Sequence, residues 1–468
     1  HFKGRTLSSQ LIFYNLETLS GIEYWEFLLL PIYLLVIYYF AFRIKSLNVK
    51  RGNSYYKYYV WGLSAKIVGS ITFCLIYTLY YHGGDTTMYY DSSIPFAELA
   101  STDFTSYIRV LFGDNTPESM SLFTSDTGVP YSYMYYDDKT CMVLRLSSLF
   151  LIGGFKSFLI ASVLLGAASY IGLWKIFQLL IAYYPDLSNI LCYAVLFVPS
   201  ITFWGSGILK DTYTMAATGL ITYSFHDLFI KRSWRKITPW LIFLVSVWLL
   251  LAIKPYIFMA ILPCLVIWLI FDRMEKTKNI LVYGFATPVF LTLLFGVMYF
   301  IFSSLGDVLA KFSLEQALHT AQIIQNDLQR SGQYGENFFN IGSFDGTLPS
   351  ALQLGPAAIF AGLFRPHIFE ARNIVMIVSG LENAVLLILS VLLLFKPGIK
   401  QVYLVIKNNS YVKFCLLFSF VLAFVIGLTT ANFGALVRFK IPIFPFYLSA
   451  LFIIYFYPKM AINQIKEK

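Results

Sequence analysis

An all-α, polytopic membrane protein of about eleven transmembrane helices is the fold this sequence predicts, on three observations. Hydrophobic residues make up 58% of the chain and charged ones 13%, against roughly 25% charged in a soluble domain. Apolar runs recur at the length that crosses a hydrocarbon core, about 20 residues at ~1.5 Å each. Lysine and arginine gather in alternate connections, as short cytoplasmic loops require. Because the runs follow one another so closely, residues 1–468 read as a single membrane domain with no separate soluble part.

The clear spans lie near residues 24–42, 58–81, 157–182, 279–302, 374–395, 411–430 and 441–457. Shorter or broken apolar runs at 188–204, 212–230, 239–253 and 255–271 fill the middle. Residues 7–19 read as an interfacial amphipathic stretch at a processed or incomplete N-terminus, since the chain starts at His1.

Orientation follows from the basic residues. Arg43, Lys45, Lys50, Arg51 and Lys57 separate the first two spans, and Lys231, Arg232, Arg235 and Lys236 follow the fifth. Arg273, Lys276 and Lys278 follow the seventh, Lys396, Lys400 and Lys407 the ninth, and Lys459, Lys466 and Lys468 close the chain. Counting spans places all these groups, and the C-terminus, on the cytoplasmic side. Two large extracytoplasmic loop regions result, 82–140 and 303–373. The first is acidic, with nine carboxylates from Asp85 to Asp138 against Arg109 and Lys139. The net charge of +10 is therefore a mark of topology, and no nucleic-acid partner is expected. Five cysteines, scattered and without CxxC spacing, give neither a disulfide framework nor a zinc site.

Where the second span ends, the chain turns polar at Tyr81-His82-Gly83-Gly84-Asp85-Thr86-Thr87. A carboxylate on two glycines at a membrane surface invites the question of what stands opposite it. Four basic positions break the charge rule at the outer ends of spans: Lys210 after Gly205-Ser206-Gly207, Lys254 before Pro255, Arg365 before Pro366, and Arg438, with Lys440, after Gly434. Glycine and proline let backbone line a cavity, and ionisable residues near membrane depth mark functional sites. The expectation is that Asp85 and these cations converge on one outward-facing cleft. Guanidinium and ammonium groups suit a pyrophosphate. A carboxylate can take the proton of an attacking sugar hydroxyl while fixed cations stabilise the departing phosphate. Together they describe glycosyl transfer from a polyprenyl-linked sugar donor to a glycan acceptor, with membrane lipids as surroundings.

An acid in the first large outer region of a many-span protein resembles the GT-C-type glycosyltransferases that use lipid-linked sugars. Phe197-Val198-Pro199-Ser200 running into Trp204 and Lys210-Asp211, Arg365-Pro366 with Glu382, and the passage from Asn432 to Arg438 are similar to bacterial O-antigen or exopolysaccharide polymerases. The resemblance implies a bacterial inner-membrane enzyme, with Asp85 as general base and Lys210, Arg365 and Arg438 as phosphate ligands. Asp91 is a second catalytic candidate and Lys254 a further phosphate ligand. No DxD or ExD pair follows Asp85, the next carboxylate being Asp91, so no metal ligand set is assigned and a divalent cation stays open.

Plainer roles stand beside these. Asp85 can be a helix N-cap, Lys210-Asp211 a local ion pair at a helix start, Arg365 and Arg438 snorkelling interface residues, and His82 and His367 polar anchors. Lys66 and Glu382, inside spans, can form structural pairs between helices. Two other functions compete with the enzyme: a secondary transporter coupling ions through Asp85, Lys210 and Glu382, and a non-catalytic subunit of a cell-envelope assembly.

Overall fold

The structure, a computed structural model, describes residues 18–19, 22–277, 319, 322–323, 338–342 and 344–466. The expected span at 279–302, most of 303–337, residues 7–17 of the amphipathic stretch, Lys278 and Lys468 lie outside them. Apart from a two-stranded hairpin, Thr18–Leu19 with Ile22–Glu23, the regular structure of the described residues is helical. Among the described residues, six helices are long and apolar enough to cross a membrane: Tyr24–Lys50, Ser54–Tyr80, Phe158–Tyr183, Pro255–Lys276, Ile374–Lys407 and Ser410–Thr429. A bent pair, Phe433–Phe439 with Ile443–Tyr457, makes a seventh if the two are counted as one span. The protein is an all-α, multi-pass membrane protein.

Two compact units divide the chain, His1–Tyr223 with Leu241–Pro255, and Ser224–Trp240 with Tyr256–Lys468. In the first, α1 (Tyr24–Lys50) is peripheral, with 11% of its apolar window buried, whereas α6 (Phe158–Tyr183) is central at 72%. Helix α2 (Tyr59–Leu75), flanked by a 3₁₀ turn at Ser54–Tyr58 and a π turn at Ile76–Tyr80, packs on α6. Small residues on both helices let their other neighbours come close, as expected where lipid removes the usual hydrophobic drive. A methyl at Gly69 would lie 1.9 Å from the Thr202 carbonyl oxygen, and one at Gly172 would lie 2.3 Å from that of Ala216.

Residues 82–140 are a helical layer rather than an open loop. Helices α3 (Asp85–Thr102) and α4 (Phe104–Phe112) precede α5 (Asp138–Gly153), and α3 packs on α5. Phe96, Phe123 and Tyr135 form the core of this layer, with ring centroids 4.9 to 6.2 Å apart.

The run at 188–204 is two short helices, α7 (Ser188–Leu196) and α8 (Pro199–Trp204). Pro199 explains the break: it lacks an N–H and disfavours helix at Val198 before it, while suiting the first turn of the helix that follows. Next come α9 (Lys210–Phe225), α10 (Ile237–Ile253) and α11 (Pro255–Thr277). At 17 residues, α10 is about 25 Å long, short of a ~30 Å hydrocarbon core.

In the second unit, α12 (Gly355–Phe364) lies against α15 (Ser410–Thr429). Gly362 meets the Ala423 carbonyl and Gly427 meets that of Ala358, where a methyl would stand 2.2 and 2.0 Å away. Between them run α13 (Ile374–Leu393) and α14 (Ile399–Lys407), parted at Lys396, whose φ and ψ leave the helical region before Pro397. The expected span at 441–457 begins at Ile443 as α17 (Ile443–Lys466). It forms the bent pair with α16 (Phe433–Phe439), at 64°.

Candidate functional site

The polar turn after the second span is built by glycine. Gly83 and Gly84 have φ of +127° and +138°, which side chains with a Cβ rarely adopt. Gly84 is the N-cap of α3; its N–H donates to Thr87 Oγ1 at 3.0 Å, and that hydroxyl donates back to the Gly84 carbonyl at 2.8 Å. Asp85 is therefore the first helical residue, not the cap, and its carboxylate favours the positive end of the helix dipole. It is exposed, and its field reaches Tyr133, whose hydroxyl is raised above its usual range first by desolvation, then by Tyr131 and Asp85.

Asp91 lies six residues on, about 240° round the helix, so the two acids occupy different faces. Although exposed, Asp91 has its carboxyl raised by the protein packed around it. Its charge is felt at Tyr90 together with those of Glu26 and Glu23.

Lys210 and Asp211 part company at the start of α9, because neighbours on a helix project about 100° apart. Lys210 Nζ donates to Thr140 Oγ1 at 2.8 Å and pairs with Asp137 at 3.4 Å. Asp137 caps α5, accepting from the Thr140 N–H at 3.1 Å and from its hydroxyl. Partial desolvation pushes the Asp137 carboxyl up, but the Thr140 bonds and the Lys210 charge hold it below the usual range. Asp211 instead takes Lys254, Nζ to Oδ1 at 2.5 Å, with both residues buried. The sequence offered Lys254 as a phosphate ligand without this partner.

Lys66, in the middle of α2, is 1% exposed. Its ammonium donates to backbone carbonyls at the end of α8, Ile201 at 3.2 Å and Gly205. A cation there meets the negative end of a helix dipole. The Gly205-Ser206-Gly207 break was visible in the sequence; the carbonyls it turns toward Lys66 were not.

Arg365 and Arg438 belong to the second unit. Arg365 follows the last residue of α12, and its bond to Pro366 is cis. Its Nε and Nη2 donate to Glu370, the first at 3.0 Å. The guanidinium lies 4.8 Å from the Phe339 ring centre and 5.3 Å from that of Phe433. A backbone bond from Phe339 N–H to the Ala431 carbonyl, 2.8 Å, brings these rings together, stacked at 5.1 Å. Glu370 Oε2 also accepts from the His367 N–H at 2.8 Å. Burial pushes the Glu370 carboxyl up, but Arg365 and the His367 N–H outweigh it and hold it below its ordinary range.

The Arg365 backbone is fixed by a residue that the sequence noticed only as a neighbour of Arg438. Lys440, buried at the bend between α16 and α17, donates to the Arg365 carbonyl at 2.8 Å and to Asn383 Oδ1. Asn383 Nδ2 in turn donates to the Pro366 carbonyl at 2.8 Å. Glu382, half-buried on α13, acts electrostatically on Lys440. Arg438 is half-buried in the last turn of α16.

The structure thus brings Lys210 to Asp137, Lys254 to Asp211, and Arg365 to Glu370 and Lys440. Asp85 and Asp91 share a helix but not a face. Among the described residues, no group of three His, Cys, Asp or Glu side chains is placed to hold a metal ion. No protein-family model matches the chain, and neither a curated protein nor a solved structure matches it.

Proposed function

We propose that the protein is a membrane glycosyltransferase or polysaccharide polymerase using a polyprenyl-(pyro)phosphate-linked sugar at the extracytoplasmic face of a bacterial inner membrane. The observation that carries this reading is the setting of Arg365. Glu370 engages Nε and Nη2 and two phenyl rings cover the guanidinium. The Nη1 edge is outside the Glu370 pair, oriented by a rigid frame and suited to a phosphate oxygen. Arg438, in the same unit as Arg365, is the further phosphate ligand of the proposal. Asp85, exposed in a first helical turn, is the base, and Asp91 a second acid on the same helix. Asp85 takes the acceptor hydroxyl proton, the acceptor oxygen bonds to the sugar C1, and the C1–O bond to phosphate breaks with its electron pair leaving on the phosphate. The proposal goes with about eleven spans, outer regions at 82–140 and 303–373, and a cytoplasmic C-terminus.

The test is to express Asp85→Asn and Arg438→Ala at wild-type levels and follow envelope polysaccharide. The expected result is loss of polymer with accumulation of unextended lipid-linked sugar; normal polymer in both variants overturns the proposal.

One observation favours a second reading, secondary transport. The bent pair α16 and α17, with buried Lys440 at the bend, has the form of a discontinuous helix at a substrate site. Solute or proton movement into liposomes that depends on Glu382 would replace the enzyme by a transporter.

A further inference from the structure

Helices α13 and α15 each contain 20 residues, about 30 Å and enough to cross the hydrocarbon core. The nine residues of α14, about 14 Å long, connect them and cannot cross. Helix α14 must therefore lie along the surface at which α13 ends. The backbone of Lys396 leaves the helical region before Pro397, so the helix is broken between the two segments.

The outward side of this segment carries two chemistries. Phe395, Ile399 and Tyr403 are exposed at 76%, 69% and 59%. Ile399, Tyr403 and Lys407 follow one another at i, i+4 spacing on one line of the helix, with Lys400 beside them. Lys396 stands at the turn, and Lys407 lies 5.8 Å from the Tyr403 ring centre. No Asp or Glu occurs between Glu382 and Glu467. Inward, Val405 is buried and anchors the helix to its own unit.

We infer that α14 with the preceding turn is an interfacial binding element for anionic lipid, with Phe395, Ile399 and Tyr403 inserted at the acyl boundary and Lys396, Lys400 and Lys407 on headgroup phosphates. Alternation of large apolar and basic residues on a surface helix is the chemistry that binds anionic bilayers. A soluble phosphate would leave the three apolar side chains without a partner. The element is continuous with a span, so its lipid is the leaflet the protein already occupies. Nothing in this depends on the glycosyl-transfer proposal.

The test uses the full chain reconstituted in vesicles of equal parts phosphatidylcholine and phosphatidylglycerol. The five native cysteines are buried, so an Ile399→Cys variant takes an environment-sensitive fluorophore selectively. The expected result is blue-shifted emission, quenched more strongly by spin-labelled phosphatidylglycerol than by spin-labelled phosphatidylcholine. That preference should fall about fivefold for each of Lys396, Lys400 and Lys407 replaced by Gln, and survive replacement by Arg. Emission typical of water, equal quenching by the two lipids, or a preference indifferent to the Gln substitutions would each overturn the inference.

Discussion

Lys254 and Lys440 are both buried cations, and the two units treat them differently. Lys254 meets a buried carboxylate at 2.5 Å, so the charge of the pair is cancelled where it stands. Lys440 donates to a backbone carbonyl and an amide oxygen, with Glu382 in electrostatic reach. The first arrangement ties α9 to the residue between α10 and α11. The second stands at a helix bend and spends its hydrogen bonds on an amide oxygen and on the carbonyl of the arginine proposed to bind phosphate. A buried ion pair is a fastening; a lysine solvated by dipoles can also attract an anion.

Breaking the pair should have the largest effect. Lys254→Met leaves Asp211 buried without this partner and should cost about 3–5 kcal/mol, read as a lower midpoint of thermal unfolding in detergent. Adding Asp211→Leu should recover most of the loss, because the stranded charge is then gone. A single variant as stable as the wild type would refute the contrast from the first unit's side.

Lys440→Met should cost less, about 1–3 kcal/mol for the carbonyl and amide oxygens left unsatisfied. Its more specific mark is functional. If Lys440 holds the Arg365 loop, the KM for a lipid-linked donor rises in this variant while Lys440→Arg restores part of it. A change in stability alone would reduce Lys440 to a structural group.

Glu370→Gln should cost about 1–2 kcal/mol by turning a charge-assisted bond to Arg365 into a neutral one. The accompanying pH dependence has a fixed sign. Because the folded carboxyl is held below its ordinary range, its contribution is full above the unfolded value near about 4.3 and is lost as pH falls through the folded value. Acid unfolding of the wild type and Glu370→Gln should therefore converge at low pH. The smallest effect belongs to Lys210→Gln, about 0–1 kcal/mol, since its partner Asp137 is exposed.

Helices were the legible part of the chain, since an apolar run of span length has few other uses. The described counterparts of the expected spans at 24–42, 58–81, 157–182 and 411–430 agree to within a few residues, except that α1 continues to Lys50. The run at 188–204, expected to be short or broken, parts at Pro199, whose effect on the residue before it was available in the sequence. The partners were less legible. Adjacency made Lys210 and Asp211 look like a pair, although helix geometry sends them apart. Lys66 carries no sequence signal for its partners, because carbonyls at a helix end belong to no residue type. Lys440 was hidden in the same way: its role is to bind the backbone of Arg365, and a backbone acceptor 75 residues away leaves no spacing to detect.

The glycine contacts between α12 and α15 also set what Arg365 can do. With Gly362 against Ala423 and Gly427 against Ala358, the two helices touch at their backbones and cannot slide without collision. A guanidinium mounted at the end of such a pair inherits its stiffness, so any adjustment to a bound anion must come from the five residues from Pro366 to Glu370 inclusive. Gly362→Ala, which touches no charge, would then act as a change of mounting: it should shift the whole Arg365 frame by the width of a methyl group and show how finely a phosphate must be aimed.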